Sequence, residues 1–176
     1  MKKVKYRIFL DYDKEERWIN DMAEKGWHLE KFAPGRFVFR KGEPGAYIYR
    51  LEFVGNLPKE EKEEYVGILE DSGASIVHES FGWIYAKKPA DGGPFELYTD
   101  AGSKIAYYNR ILNTFLILFL VAIGGAGYNF SLARMTDIEA VPIASGVVCA
   151  LSAFIIGVQM IKISRKKKKL QESFFE

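Results

Sequence analysis

Two histidines, one cysteine and 23 acidic residues are the metal-ligating groups of this chain and the first candidates for acid–base or nucleophilic chemistry. His28 sits in EKGWHLEKF with Glu30 two positions on, and His78 sits in IVHESFG beside Glu79. A histidine with a carboxylate in reach is the smallest general acid–base unit. An enzyme using His28 with a carboxylate is therefore one reading of the chain. It lacks the usual companions: there is no G-x-S-x-G elbow and no glycine-rich phosphate loop. Zinc asks for three or four ligands, and Cys149 lies inside a long apolar run, so no metal is expected. No catalytic residue and no cofactor is assigned on these grounds. The acidic runs DYDKEE and KEEKEE suit the first turns of helices better than a cation site. GRFVFRKGEPGAYIYR mixes aromatic and basic residues as single-strand readers do, yet it lacks their R-G-F-G-F-V-x-F pattern. With a net charge of only +2, no nucleic-acid partner is expected.

The elements that hold these residues follow from spacing. GWHLEKFAPGRFVFRK and GASIVHESFGWIYAKK match at a constant offset of 47 residues, from Gly26 to Gly73, Gly35 to Gly82 and Lys41 to Lys88. Each follows a helical segment, which points to a duplicated unit. In DKEERWINDMAEKG, Asp13 is the expected N-cap with Glu16 three residues later. Trp18, Ile19, Met22 and Ala23 form the apolar stripe, and Gly26 the C-terminal cap. In PKEEKEEYVGILEDSG, Pro58 suits the first turn, Tyr65, Ile68, Leu69 and Ser72 the inner stripe, and Gly73 the cap. VKYRIFL alternates Val4, Tyr6, Ile8 and Leu10 on one face, and AYIYRLEFV does so with Tyr47, Tyr49, Leu51 and Phe53. RFVF and WIYA read as short strands with glycines at their hairpin turns, and PFELY as a last strand. The expected fold class is α+β: a ferredoxin-like sandwich from a duplicated α-β-β-β unit, with one sheet and helices on one face, followed by a two-helix transmembrane hairpin.

That hairpin is read from two uncharged runs, Ile111 to Ala133 and Ala140 to Ile161. Each exceeds the roughly 20 residues needed to cross a hydrocarbon core. Two buried helices of a soluble protein would be the alternative, but neither run offers a polar face. Lys104 and Arg110 precede the first run, and Lys162, Arg165 and Lys166 to Lys169 follow the second; only Arg134 lies between. Basic residues stay on the cytoplasmic side, so both termini are expected inside and RMTDIE outside. A single cysteine and the lack of a signal-peptide pattern agree with a domain facing the cytosol. The expected organisation is a cytoplasmic α+β domain over 1–100, a helical linker over 101–111, and a first span over 112–133. An external turn over 134–139, a second span over 140–162 and a basic cytoplasmic tail over 163–176 complete it. Gly146, Ala150, Ala153 and Gly157, with Ala122, Gly125 and Ala126, are the small residues expected to pair the spans, and a homodimer is open to them. Arg165, Lys166, Lys167, Lys168 and Lys169 are candidates for contact with anionic lipid headgroups. No ionisable residue lies within a span, which argues against an ion path.

RIFLDYDKEERWINDMAEKGWHLEKF, FVFRKGEPGAYIYRLEF and ELYTD together resemble the bacterial proteins of domain-of-unknown-function family 2812 (DUF2812), over about residues 4–110. Glu16 to Leu29 is the most specific part of the likeness. The resemblance implies a cytoplasmic domain joined to membrane helices, and a link to PadR-type regulators, with which such proteins are encoded. It supplies no catalytic residues. Trp18, Asn20, Gly26, Trp27 and His28 match the family hallmark and are the candidate functional surface. The expected function is a membrane-anchored cytoplasmic binding or regulatory protein, a sensor or adaptor and not an enzyme. Its expected partners are membrane lipids and a protein. A membrane-proximal enzyme using His28 and an accessory subunit of a transporter are the alternatives.

Overall fold

A computed structural model describes residues 1–95, 101–135 and 139–173. The elements in chain order are β1 (Lys2–Tyr6), α1 (Tyr12–Glu24), β2 (Trp27–Ala33), β3 (Arg36–Lys41), β4 (Tyr47–Phe53), α2 (Lys59–Asp71), β5 (Ser75–Ser80), β6 (Trp83–Pro89), a 3₁₀ turn (Ala90–Gly92), α3 (Ala101–Ala133) and α4 (Ala140–Glu172). They form two compact units, Met1–Leu97 and Tyr98–Glu176.

The first unit is α+β, as its alternating patterns foretell. Its strands form two three-stranded antiparallel sheets, ordered β1-β3-β2 and β4-β6-β5, in place of one continuous sheet. In each, the first and last strands in space run parallel with an antiparallel strand between them, the split β-α-β arrangement of ferredoxin-like folds. The offset of 47 extends to the registers. Lys2 pairs with Arg40 and Tyr49 with Lys87, and the bulges fall at Leu29/Lys31 and Ile76/His78. The organising unit is thus β-α-β-β. The sequence reading began each unit at its helix because β4 follows β3 directly. Hydrogen bonding instead places β4 at the outer edge of the second sheet.

Two cores follow. Ile19, Met22 and Ala23 of α1 pack with Leu29, Phe37 and Phe39 of the first sheet and with Tyr49, Leu51 and Tyr85 of the second. Helix α1 therefore has sheet residues on both flanks. Helix α2 serves the other face of the second sheet, where Leu69 joins Ile84, Ala86, Val54 and Phe95, with Tyr65 and Val66 half-buried beside them. Ile68, expected inside, is 58% exposed.

Helix ends depart from expectation in one informative place. The N-cap of α1 is Asp11, whose carboxylate accepts the Asp13 N–H at 3.2 Å, and not Asp13 itself. Glu16 is thereby free of capping-box duty and reaches another strand. Pro58 stands at the N-cap of α2, one position before the first turn. The helix ends behave as read: Gly26 has φ +74 and donates to the Ala23 carbonyl. Its left-handed backbone is needed twice over, because a Cβ there would stand 2.6 Å from the Gly42 oxygen. The β5–β6 hairpin closes on Phe81 (φ 50) and Gly82 (φ 78), the doubly positive pair of a type I′ turn. Of the expected strand PFELY, Pro94 and Phe95 are not in a strand, and the rest lies outside the described residues.

In the second unit, α3 and α4 are each 33 residues long, about 50 Å of helix. Both are long and apolar enough to cross a membrane. Only 6% and 11% of their most apolar stretches is buried, whereas the core helix of a soluble protein is mostly buried. The segment read as a linker, 101–111, is the unbroken start of α3. Gly146 lies under the Phe130 ring, Gly157 under Phe119, and Gly125 opposite the Cys149 sulfur. Small residues set the helix–helix approach, as anticipated. Ala150 is exposed, and Cys149 takes its place on the inner stripe. The external turn over 134–139 falls partly outside the described residues.

Candidate functional site

The hallmark residues are spread through the first unit, and each has a structural partner. Trp18 stacks edge-on to Phe37 at 4.9 Å and Phe39 at 5.5 Å, with the Arg7 guanidinium 5.5 Å from its ring. Trp27 has two ammonium groups over its ring, Lys3 at 4.8 Å and Lys41 at 5.1 Å. Asn20 does the work of a strand: its Nδ2 donates to the Tyr49 carbonyl at 2.9 Å and its Oδ1 accepts the Tyr49 N–H at 2.8 Å. One turn earlier, Glu16 accepts the Leu51 N–H at 2.8 Å and pairs with Arg50 at 2.6 Å. Two side chains of α1, four residues apart and so on one helical face, close the outer edge of β4. Sequence reading could not see this, because the capping-box pattern offered Glu16 a local partner.

His28 is 9% exposed. Its Nε2 donates to the Glu43 carbonyl at 2.7 Å, its ring lies edge-on to Tyr47 at 5.2 Å, and a Cβ on Gly42 would touch it. The buried Nδ1 has no hydrogen-bond partner among the described residues. No carboxylate joins it: Glu30 is held by Lys2 and Arg40, and Glu79 by Lys62. His78 packs against Phe32 and Tyr85. The histidine–carboxylate arrangement that an acid–base enzyme would need is not assembled at His28 or His78 among the described residues. A carboxyl–phenol pair missed by the sequence, Glu15 with the Tyr85 hydroxyl at 2.6 Å, lies between α1 and β6. Burial pushes the Glu15 carboxyl up, against the hydrogen bond from Tyr85, and burial pushes the Tyr85 phenol up as well. No group of three or more metal-ligating side chains occurs among the described residues.

What the geometry does bring together is an open surface on the first sheet. One face of β1-β3-β2 is filled by α1. The other carries Val4 (41% exposed), Tyr6 (76%), Lys31, Arg36 and Arg40 at the surface, around the buried Val38 and His28. Ile8 and Leu10, expected to extend an apolar strand face, lie beyond β1 and are exposed. The outer edges of β1 and β4 both meet no strand among the described residues, but only that of β4 is closed, by Glu16 and Asn20. Because Arg7 donates to Gly35 across the ladder, the alternate positions Val4 and Tyr6 present their backbone groups outward.

A carboxylate organises the basic part of this surface. Glu30, at the bulge of β2, takes Lys2 at 2.8 Å and Arg40 at 2.9 and 3.2 Å, tying three strands together. Arg40 first and Lys2 second hold its carboxyl down at about 2. A depressed carboxyl contributes stability that is present above its unfolded value and is lost as pH falls through the folded one. Between pH 5 and pH 2 the first sheet is therefore expected to loosen, and Glu30→Gln to remove that part of the acid sensitivity. Amide exchange of β1 residues measured across this range checks it.

The basic residues read as lipid contacts continue α4 as helix beyond its apolar run. Arg165, Lys168 and Lys169 are exposed, Lys166 and Lys167 half-buried, and Lys168 lies 3.6 Å from Glu172.

Comparison with known proteins is brief. No curated protein and no solved structure is significantly similar to the chain. The sequence pattern of one family, described as "Protein of unknown function (DUF2812)", matches residues 11–120. The match opens at the Asp11 cap, takes in both sheets save β1, and ends within α3. Covering well over half of the sequence, it shows that the chain belongs to the DUF2812 family.

Proposed function

We propose that this chain is a membrane-anchored, non-enzymatic binding or regulatory protein of the bacterial cytoplasmic membrane. Its α+β unit recruits a partner through the open face and edge of the first sheet. One observation carries the reading: the two sheets share a register, yet the edge of β4 is closed by Glu16 and Asn20 while that of β1 is left open beside Val4 and Tyr6. Unpaired strand edges template association, and folds that do not use them cover them. Rows of apolar and basic side chains on the adjoining face add recognition chemistry. The two apolar helices supply the tether. Basic residues in the first turns of α3 (Lys104, Arg110) and after Ile161 favour both ends inside, where Arg165 and Lys166 to Lys169 meet anionic headgroups at roughly 1 kcal/mol each. Tethering raises the local concentration of the unit at the inner face of the membrane, so weak contacts suffice.

The test is a photo-reactive residue placed at Tyr6 of the full chain in its native membrane. Irradiation is expected to give a discrete adduct from position 6 and none from position 14, an exposed site on α1. Equal, diffuse labelling at both positions, or none at either, would remove the reading.

A further inference from the structure

Helix α1 works on both flanks. On one it covers its own sheet through Trp18 and Met22; on the other Glu16 and Asn20 clamp β4 of the second sheet. Helix α2 does only the first of these, through Leu69, Tyr65 and Val66. Its other flank carries Glu60, Glu63, Glu70 and Asp71, all exposed. Glu63 occupies in α2 the place of Glu16 in α1, since both helices and both sheets are related by the same offset of 47. By that offset Lys2, Lys3 and Val4 of β1 occupy the places of Tyr49, Arg50 and Leu51 of β4. Among the described residues of the first unit there is thus an acidic helix flank with no sheet to cover, and a basic sheet edge with no helix to cover it.

We propose, on the basis of the function just given, that the partner of the open sheet is a second copy of this chain. The α2 helix of that copy docks on β1 as α1 docks on β4. Glu63 of the incoming helix accepts the Val4 N–H and pairs with Lys3, repeating the bonds of Glu16 to Leu51 and Arg50. Charge selects this mode over edge-to-edge pairing. Two β1 strands side by side would bring together Lys2, Lys3, Lys5 and Arg7 of both copies. An acidic helix against the same edge neutralises it. Gly67 stands where α1 has Asn20, so only half of the clamp is available and the contact is the weaker of the two. The contact joins unlike patches, so each copy retains one free patch of each kind. The association is head-to-tail and extends beyond a dimer, as an open row or a closed ring.

The experiment uses the full chain in membranes, with Cys149→Ala to remove the native thiol. Chains carrying both Lys2→Cys and Gly67→Cys, at the positions that correspond to Tyr49 and Asn20 and with Lys3 and Glu63 left in place, are treated with a short bis-maleimide and are expected to give a ladder of dimers, trimers and larger species. A mixture of chains carrying one or the other is expected to stop at the dimer, and either alone to stay monomeric. In the cysteine-free chain, Lys3→Glu is expected to weaken self-association by about tenfold. Lys3→Glu with Glu63→Lys restores it, which a folding defect would not allow. Dimers from either single-cysteine chain alone, no cross-link in the mixture, or a charge swap that fails to rescue would overturn the proposal. A Tyr6 photo-adduct containing only another protein would overturn it too, while leaving the recruiting function in place.

Discussion

Asn20→Leu is expected to destabilise the α+β unit by about 2–4 kcal/mol, the cost of leaving two buried backbone groups without partners. Leucine matches asparagine in size, so the packing of α1 is kept and the loss is one of hydrogen bonds. Tyr49 is fully buried, and without Asn20 neither its N–H nor its carbonyl has water to turn to. Glu16→Ala acts on the next two positions of the same edge, freeing the Leu51 N–H and one arm of Arg50, whose Nε stays on the Phe95 carbonyl. The two changes touch one edge and are expected to be less than additive. For a unit of this size the single change amounts to a fall of roughly 10–25 °C in the unfolding midpoint. Thermal unfolding followed by tryptophan fluorescence reads it, with Lys14→Leu on the exposed side of α1 as the control, expected within about 0.5 kcal/mol of the parent. A midpoint for Asn20→Leu indistinguishable from that of Lys14→Leu would show that β4 needs no clamp. The contrast between β4 and β1, on which the functional reading stands, would go with it.

The clamp also shows where sequence reasoning worked and where it stopped. Periodicity found both helices, the strands and both apolar spans, because burial imposes a period on each element separately. Glycines at 26, 35, 73 and 82 marked turns for the same local reason: left-handed backbone favours that residue. The offset of 47 was legible, while the phase of the unit was not. β4 follows β3 closely in sequence, and only its ladder to β6 reveals which sheet it serves. Glu16 and Asn20 were legible as helix residues and as part of the hallmark. Their partners are 29 and 35 positions away, a distance that no periodicity reports. Val4 and Tyr6 misled in the opposite way. Their alternation is that of a strand with one buried face, and the structure leaves that face uncovered. An apolar pattern records what a strand is built to meet, whether or not the chain itself supplies it.

The second large effect concerns the tether, since recruitment at a membrane requires the hairpin to span it and the α+β unit to face inward. Helices whose most apolar stretches are almost wholly uncovered have no stable place in water; in a bilayer that surface meets acyl chains, and every backbone group is bonded within its own helix. The expected outcome is all-or-none. In a Cys149→Ala background, a thiol at Met135, exposed at the end of α3, is expected to react with a membrane-impermeant maleimide on intact cells. One at Lys31, on the open sheet, is expected to react only after permeabilisation. Labelling of position 31 in intact cells, or recovery of the chain in the soluble fraction after alkaline washing, would contradict the account.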